Sequence, residues 1–119
     1  MAFGGDGIAR HEGLVLFVAL AAPGDELLVQ ITEKKKNFAR AEIIEILSPG
    51  PSRIKPPCPY FGHCGGCNWQ HLSYESQLEQ KEKIVREQLR EHLAHVIFED
   101  IEPSSQPLRY RNRIQLKYE

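Results

Sequence analysis

Hydrophobic residues in the first half of the chain recur in short runs that have the length and spacing of β-strands. An apolar run covers residues 14–18, a second segment covers 26–32, and a third covers 37–47. Residues 22–25, with the sequence Ala-Pro-Gly-Asp, supply turn chemistry between the first two runs. Short strands at regular spacing with turn signals between them predict a β-sandwich or β-barrel. The pattern therefore predicts a small β domain over residues 1–49.

After Ser73, the apolar residues recur at the spacing of an α-helix. Ser73 itself is an acceptable N-cap. We predict a helix from Ser73 to about His92. Oppositely charged side chains four residues apart, Glu79 with Lys83 and Glu82 with Arg86, would support it. Its apolar positions fall mostly at i, i+4 and i+7 intervals and form one stripe: Tyr74, Leu78, Ile84, Val85, Leu89 and Leu93.

Two weaker alternating patterns follow the helix. Residues 95–101 alternate enough to predict a strand, and residues 108–118 predict another with one apolar and one basic face. Upstream of the helix, prolines crowd residues 50–57, where neither a helix nor a central strand can form. We therefore divide the chain into the β domain at 1–49, a proline-rich linker at 50–57, and a second unit at 58–119.

Composition places the chain in the ordinary globular class. Of 119 residues, 41% are hydrophobic and 26% are charged, and the net charge of −1 gives no sign of a nucleic-acid partner by itself. No apolar run is long enough to span a membrane, and no signal peptide is evident. We therefore expect a cytoplasmic, monomeric protein with reduced cysteines and no membrane partner.

The chemistry of the chain is concentrated in one loop. All three cysteines, Cys58, Cys64 and Cys67, lie there with the spacing C-x5-C-x2-C. An odd count argues against a disulfide framework, whereas clustered thiolates select zinc or an iron–sulfur cluster. Spacing alone leaves both open. His71 could complete a Cys3His zinc site, or a 4Fe–4S cluster could take its fourth ligand from elsewhere.

A resemblance to a known family favours the cluster. Residues 56–81, which include Cys64-Gly65-Gly66-Cys67-Asn68-Trp69-Gln70-His71, closely resemble the cluster motif of the SAM-dependent RNA 5-methyluridine methyltransferases, the bacterial tRNA and 23S rRNA (uracil-5-)-methyltransferase family. The opening residues 2–10 resemble the start of the TRAM domain that precedes that motif. Tyr110-Arg111-Asn112-Arg113 resembles a further family motif.

The resemblance implies a fold and a cofactor. The fold class is β followed by α+β: a small, OB-like TRAM β-barrel with its first strand truncated, the cysteine loop, one amphipathic helix and the first strands of an incomplete central domain. Cys58, Cys64 and Cys67 would bind a 4Fe–4S cluster whose fourth cysteine comes later than residue 119. SAM and the catalytic residues would belong to a C-terminal domain that these 119 residues lack. His71 would then be structural, and His11 is expected in a turn.

RNA is the implied partner, either ribosomal RNA or tRNA. Lys34, Lys35 and Lys36 are adjacent, and Phe38 and Arg40 follow, so this hairpin tip could meet phosphates and offer a stacking ring. The alternative is a solvated tip with Phe38 in the barrel core. Arg111 and Arg113 would lie on the basic face of the last strand, either against RNA or simply exposed.

The sequence-level hypothesis is the N-terminal RNA-binding and iron–sulfur portion of an RNA uridine-C5 methyltransferase, inactive by itself. No Gly-x-Gly-x-x-Gly motif opens a helix within the chain, so we expect no SAM site in it. The alternative is a stand-alone RNA-binding module with a Cys3His zinc site. A third, weaker hypothesis is a protein-interaction adaptor that uses the exposed helix.

Overall fold

A computed structural model describes residues 1–113, and the first half of this part is a four-stranded β-sheet. The strands are β1 (Gly7–His11), β2 (Leu14–Val18), β3 (Glu26–Lys34) and β4 (Phe38–Ser48). Their order across the sheet is β1-β2-β4-β3. The β1/β2 and β3/β4 pairs are antiparallel, and β2/β4 is parallel. The small β domain is confirmed, but the predicted closed barrel is wrong: among residues 1–113 the four strands form an open sheet with β1 and β3 at its two edges.

Strand β1 is the element that the hydrophobic pattern did not predict. It forms a hairpin with β2 through Glu12 and Gly13, whose φ angles are 49° and 80°. Two consecutive positive φ angles characterise the tight turns that match the twist of a hairpin. His11 is the last residue of β1 and pairs with Leu14, so the prediction that His11 belongs to the turn is wrong by one position.

One face of the sheet forms the core. Leu16, Val18, Ala39 and Ala41 are buried there, and Ala21 packs with them. The alanines of β4 are small enough for the neighbouring segments to approach closely. A Cβ on Gly7 would lie 2.7 Å from the Ala21 Cβ, closer than real Cβ contacts allow, so this approach requires glycine at the first position of β1.

The helix forms as predicted but ends earlier. Helix α1 spans Tyr74–Gln88, with Leu89 as its C-cap and a 3-10 helix at Arg90–His95 after it. The Ser73 hydroxyl caps α1 by accepting a hydrogen bond from the Ser76 N–H at 3.3 Å. Two expected ion pairs lie along its surface, Lys83 Nζ–Glu79 Oε1 at 2.5 Å and Arg86–Glu82 at 2.7 Å. Within residues 1–113, no helix has the length and apolar character needed to cross a membrane.

Three predictions for the second half are wrong. Residues 96–101 have no regular structure, and residues 108–113 form no strand, with Arg109 at a φ of 59°. The remainder of that predicted strand, 114–118, lies outside the described residues. The apolar stripe of α1 is not its buried face either. Ser76 and Gln80 are the buried residues of α1, whereas Val85 is 48% exposed.

The proline-rich segment is not a free spacer. Its Arg53 reaches back to the turn between β2 and β3 and pairs with Asp25 at 2.6 Å. The same segment also joins the second unit, because the Ile54 N–H donates to the His71 carbonyl at 2.9 Å and Ser73 N–H donates to the Ser52 carbonyl at 2.8 Å. The linker therefore fastens the sheet and the cysteine-loop segment to one another.

Candidate nucleic-acid interface and cysteine loop

The face of the sheet opposite the core carries two phenylalanine rings flanked by two arginines. Side chains alternate along a strand, so the residues between buried core positions point away from the core. Across the sheet, Arg10 of β1 is opposite Val15 of β2, which is opposite Phe38 of β4. Two residues further along β2 and β4, Phe17 is opposite Arg40. The rings of Phe17 and Phe38 meet edge to face, with centroids 5.8 Å apart. We call Arg10, Phe17, Phe38 and Arg40 the outer-face patch.

Phe38 therefore lies neither in the core nor fully in solvent. It is half-buried against Phe17 on the outer face, next to the buried Ala39 of the inner face. The alternative that placed Phe38 in the barrel core is wrong. Successive side chains of a strand point to opposite faces, and the next residue, Ala39, points to the core. The aromatic and basic groups are thus available together on one exposed surface.

Local acids partly balance the predicted basic residues. Arg40 lies 3.3 Å from Asp6 and 3.8 Å from Glu33, and Lys35 lies 2.8 Å from Glu33. The hydrogen bond from Lys35 lowers the pKa of Glu33 and raises the pKa of Lys35. Exposed ion pairs of this kind contribute little to stability because water and salt screen them, so a phosphate can displace them.

The remaining basic residues of the prediction are exposed. Lys34 ends β3, and Lys36 lies in the turn before β4. No ion pair of either lysine is found among residues 1–113. Arg111 and Arg113 are exposed in an irregular segment, so the predicted basic strand face is not formed by the described residues.

The cysteine loop is ordered by short turns. Phe61 N–H donates to the Cys58 carbonyl at 3.2 Å, and Cys64 N–H donates to the Tyr60 carbonyl at 2.9 Å. Cys58 is half-buried, while Cys64 and Cys67 are exposed, and all three are free thiols. Cys64 and Cys67 line one shallow cavity of about 280 Å³.

The three thiols are suitable ligands for zinc or an iron–sulfur cluster, but their positions do not form a metal site. Within the described 113 residues, no three Cys, His, Asp or Glu side chains converge as a metal-binding group. Three thiolates in a glycine-rich loop nevertheless form the kind of donor set that zinc and iron–sulfur clusters take. The ligand role of Cys58, Cys64 and Cys67 stays a prediction.

The cysteine loop is docked on the opening glycines of the chain. The Asn68 side-chain amide donates to the Gly4 carbonyl at 2.8 Å, and the Trp69 indole N–H donates to the Gly5 carbonyl at 2.9 Å. Gly5 has a φ of +109°, and a Cβ there would lie 2.9 Å from the Asn68 Cβ. Two of the three segments that carry the family resemblance, residues 2–10 and 56–81, are thus in direct contact.

His71 is held away from a ligand role. It is 1% exposed, and its Nε2 lies 3.1 Å from the Ala21 carbonyl oxygen. A carbonyl only accepts, so Nε2 carries the proton and Nδ1, which is buried without a partner, does not. Burial lowers the pKa of His71, although the Ala21 carbonyl works against that shift. Within residues 1–113, His71 therefore lies in a buried hydrogen bond and does not join the three thiols in a Cys3His group.

Asp25 anchors the linker from the sheet side. Its carboxylate, 1% exposed, accepts hydrogen bonds from the Ala22 N–H at 2.6 Å, the Gly50 N–H at 2.8 Å and the Arg53 guanidinium at 2.6 Å. Burial alone would raise the pKa of Asp25, but these hydrogen bonds outweigh burial and hold the pKa below its usual value. Arg53 also donates to the Leu20 carbonyl at 2.8 Å.

Sequence reasoning missed Arg10 and Phe17 as members of the outer-face patch. Strand alternation could have found Phe17, because it lies between Leu16 and Val18, which are both buried. Arg10 carried no such signal, since β1 itself was not predicted.

Comparisons with known proteins agree with this architecture. Residues 2–44 match the TRAM domain family. An uncharacterized RNA methyltransferase of Bdellovibrio bacteriovorus is 50% identical over 120 residues, covering 99% of this chain and 30% of that protein. The 23S rRNA (uracil(1939)-C(5))-methyltransferase RlmD of Shewanella amazonensis is 42% identical over 113 residues, covering 94% of this chain and 26% of that protein.

A third relative, an uncharacterized RNA methyltransferase of Aquifex aeolicus, is 38% identical over 119 residues, 28% of its length. The chain thus spans between 26% and 30% of the length of these curated relatives. Similarity runs through both the sheet and the cysteine-loop segment, because the matches cover nearly the whole chain. Residues 2–44 thus carry a TRAM domain, and the chain is similar over nearly its whole length to one part of these RNA methyltransferases.

Proposed function

We propose that this chain is the RNA-binding and cysteine-bearing segment of a SAM-dependent RNA uracil-C5 methyltransferase. The Shewanella relative is named for uracil-C5 methylation of 23S rRNA, and this supports the reaction type. The proposal that the chain binds RNA rests on the outer-face patch. There, two arginines flank two contacting aromatic rings on the exposed face of the sheet. We leave open ribosomal RNA and tRNA as substrates.

The outer-face patch suits single-stranded RNA. Arginine and lysine neutralise phosphates without reading sequence, while aromatic rings offer stacking faces to unpaired bases. Arg10 and Arg40 lie on opposite sides of the ring pair, so a strand could track from one to the other across Phe17 and Phe38. The hairpin tip with Lys34, Lys35 and Lys36 extends the positive surface beyond the start of β4.

We further propose that Cys58, Cys64 and Cys67 supply three thiolates to a 4Fe–4S cluster. The sequence contains no other cysteine, so a fourth cysteine ligand would come from outside these 119 residues. Such a cluster, when bound, would connect the cysteine loop to the segment that carries the fourth ligand. The contact of His71 Nε2 with the Ala21 carbonyl, away from the three thiols, supports the cluster over the Cys3His zinc alternative.

In this proposal, methyl transfer is carried out by a longer protein of which these 119 residues are one segment. There, a cysteine thiolate would add to uracil C6, and C5 would take the methyl group of SAM, leaving S-adenosylhomocysteine. A base would then remove the C5 proton as the cysteine leaves C6 and the C5–C6 double bond re-forms. Those groups would lie outside the 119 residues. We expect the isolated chain to bind RNA weakly and to transfer no label from SAM to uridine, and transfer of label by this chain alone would overturn that assignment.

RNA binding can be measured by fluorescence anisotropy with a labelled, uridine-containing single-stranded oligoribonucleotide over a range of salt concentrations. Removing two phosphate contacts in Arg10→Ala/Arg40→Ala should lower the slope of log K against log salt by about 1.4. The control variant Lys83→Ala/Arg90→Ala removes two exposed cations from the helical region. Equal effects of the two double variants would show that the patch has no special role.

The metal proposal is tested by iron and sulfide analysis of anaerobically purified protein together with its absorption spectrum. A brown protein whose colour depends on Cys58, Cys64 and Cys67 is expected. A colourless protein with one zinc ion that is lost in His71→Ala would instead support the zinc module.

A further inference from the structure

We infer that Gln70 is a positioning residue that holds the first and last cysteines of the motif in place for metal binding. This inference rests on the proposed thiolate site and deepens it. The side-chain amide of Gln70 contacts both cysteines: its Oε1 accepts a hydrogen bond from the Cys58 N–H at 3.2 Å, and its Nε2 donates to the Cys67 Sγ at 3.1 Å.

The orientation of the amide follows from its partners. A backbone N–H only donates, so the oxygen of Gln70 must face Cys58 and its NH₂ group must face the Cys67 sulfur. Cys58 and Gln70 are 12 residues apart, whereas Cys67 is three residues away. One planar group therefore links the entry of the loop to its last cysteine.

The anchor of this link is rigid. Gln70 stands between Trp69, whose indole is bonded to the Gly5 carbonyl, and His71, which is 1% exposed and bonded to Ala21. Both neighbours fix the backbone that presents the amide. Gln70 itself is half-buried, and its hydrogen bond with the Cys58 N–H is partly buried, whereas its hydrogen bond with the Cys67 sulfur is exposed.

The chemistry of an amide suits this position. An N–H donor stabilises the negative charge of a thiolate, and hydrogen bonds to ligand sulfurs orient the ligands and tune the metal. The amide carries no charge and is a poor ligand for a thiophilic metal. Gln70 can thus restrain two thiolate ligands without joining them.

The experiment titrates the reduced, metal-free chain with Co²⁺ under anaerobic conditions and follows the thiolate-to-cobalt charge-transfer absorption. Gln70→Met keeps the length of the side chain and removes both hydrogen bonds. Loss of two hydrogen bonds should raise the Kd for Co²⁺ about tenfold. The matched control is Gln77→Met, because the Gln77 amide donates to the Leu72 carbonyl at 3.1 Å and not to a cysteine; its Kd should change less than about twofold.

Hydrogen exchange gives a second measurement, and its first comparison uses only the metal-free wild-type chain. The Cys58 N–H should exchange more slowly than exposed loop amides, because Gln70 accepts its hydrogen bond, and Gln70→Met should remove this protection. The Cys64 N–H, which donates to Tyr60, should keep its exchange rate in the variant.

The outcomes separate the two levels of the proposal. Thiolate binding by the wild type that is unchanged in Gln70→Met, or a Cys58 amide that exchanges like an exposed one in the folded wild type, would overturn the role of Gln70 alone. Absence of any thiolate absorption band in the wild type would overturn the metal site, and the positioning role with it.

Discussion

Replacing Asp25 by alanine should destabilise the chain more than any surface substitution, because its carboxylate is the shared acceptor between the sheet and the linker. The side chain of Asp25 is 1% exposed and that of its partner Arg53 is 15% exposed. Asp25→Ala leaves a largely buried guanidinium without its carboxylate, and it leaves the N–H groups of Ala22 and Gly50 without their acceptor.

The expected loss is about 3–5 kcal/mol, the range for breaking a buried ion pair by removing one partner. Small domains are stable by only about 5–15 kcal/mol, so the variant should approach the limit of folding at room temperature. Urea denaturation followed by far-ultraviolet circular dichroism and by the fluorescence of Trp69, the single tryptophan, measures this loss.

The matched control removes an exposed carboxylate from a similar ion pair. Glu79 pairs with Lys83, and both side chains are more than half exposed, at 59% and 60%. Glu79→Ala should therefore cost less than about 0.5 kcal/mol. A loss of less than about 1 kcal/mol in Asp25→Ala would refute the idea that this carboxylate holds the linker to the sheet.

The dependence of unfolding stability on pH tests the same carboxylate in a second way. The folded-state pKa of Asp25 lies below its usual value, so its stabilising contribution is present above the unfolded-state pKa of about 3.9. That contribution is lost as the pH falls through the lower, folded-state pKa. Wild type and Asp25→Ala should therefore converge in stability at strongly acidic pH.

Two further predictions concern the contacts of the cysteine loop with the sheet. Gly5→Ala should lower the melting temperature more than Gly4→Ala does, because both positions have positive φ but only a Cβ on Gly5 would meet Asn68, at 2.9 Å; equal losses would indicate backbone strain alone. Burial lowers the pKa of His71, so the unfolded state binds more protons and stability should fall as the pH drops below about 6.5. His71→Gln should flatten that fall in urea denaturation, and an unchanged pH profile would contradict the buried neutral imidazole.

Several elements could be predicted from the sequence because their determinants are local. Strand β2 is a compact apolar run, and β3 and β4 follow the expected segments closely. The cap at Ser73 and the ion pair of Glu79 with Lys83 depend on neighbours within one helical turn. Propensity and spacing are sufficient where the partners are three or four residues apart.

The remaining features depend on partners that are distant in sequence. Strand β1 has only five residues and little hydrophobic pattern, and it exists because β2 pairs with it. The parallel pairing of β2 with β4 places Phe17 near Phe38, which no local pattern specifies. The prolines correctly excluded regular structure from the linker, but they gave no sign that Arg53 would reach Asp25, 28 residues away.

The helix shows how tertiary contacts override an amphipathic pattern. The sequence predicted an apolar buried stripe, yet Ser76 and Gln80 are the buried positions of α1. Gln80 faces the start of the chain, where its Oε1 lies 3.5 Å from the Met1 amino group. Apolar residues such as Val85 stay half-exposed, because none of the described residues covers that face completely.

The most direct test of the account is to map where RNA touches the chain, using backbone amide chemical shifts of labelled protein during titration with single-stranded oligouridine. We predict that the largest shift changes cluster on the outer-face patch, at Arg10, Phe17, Phe38 and Arg40, and that they weaken as salt rises. Shift changes confined to the helix α1, or no saturable change at low salt, would contradict it.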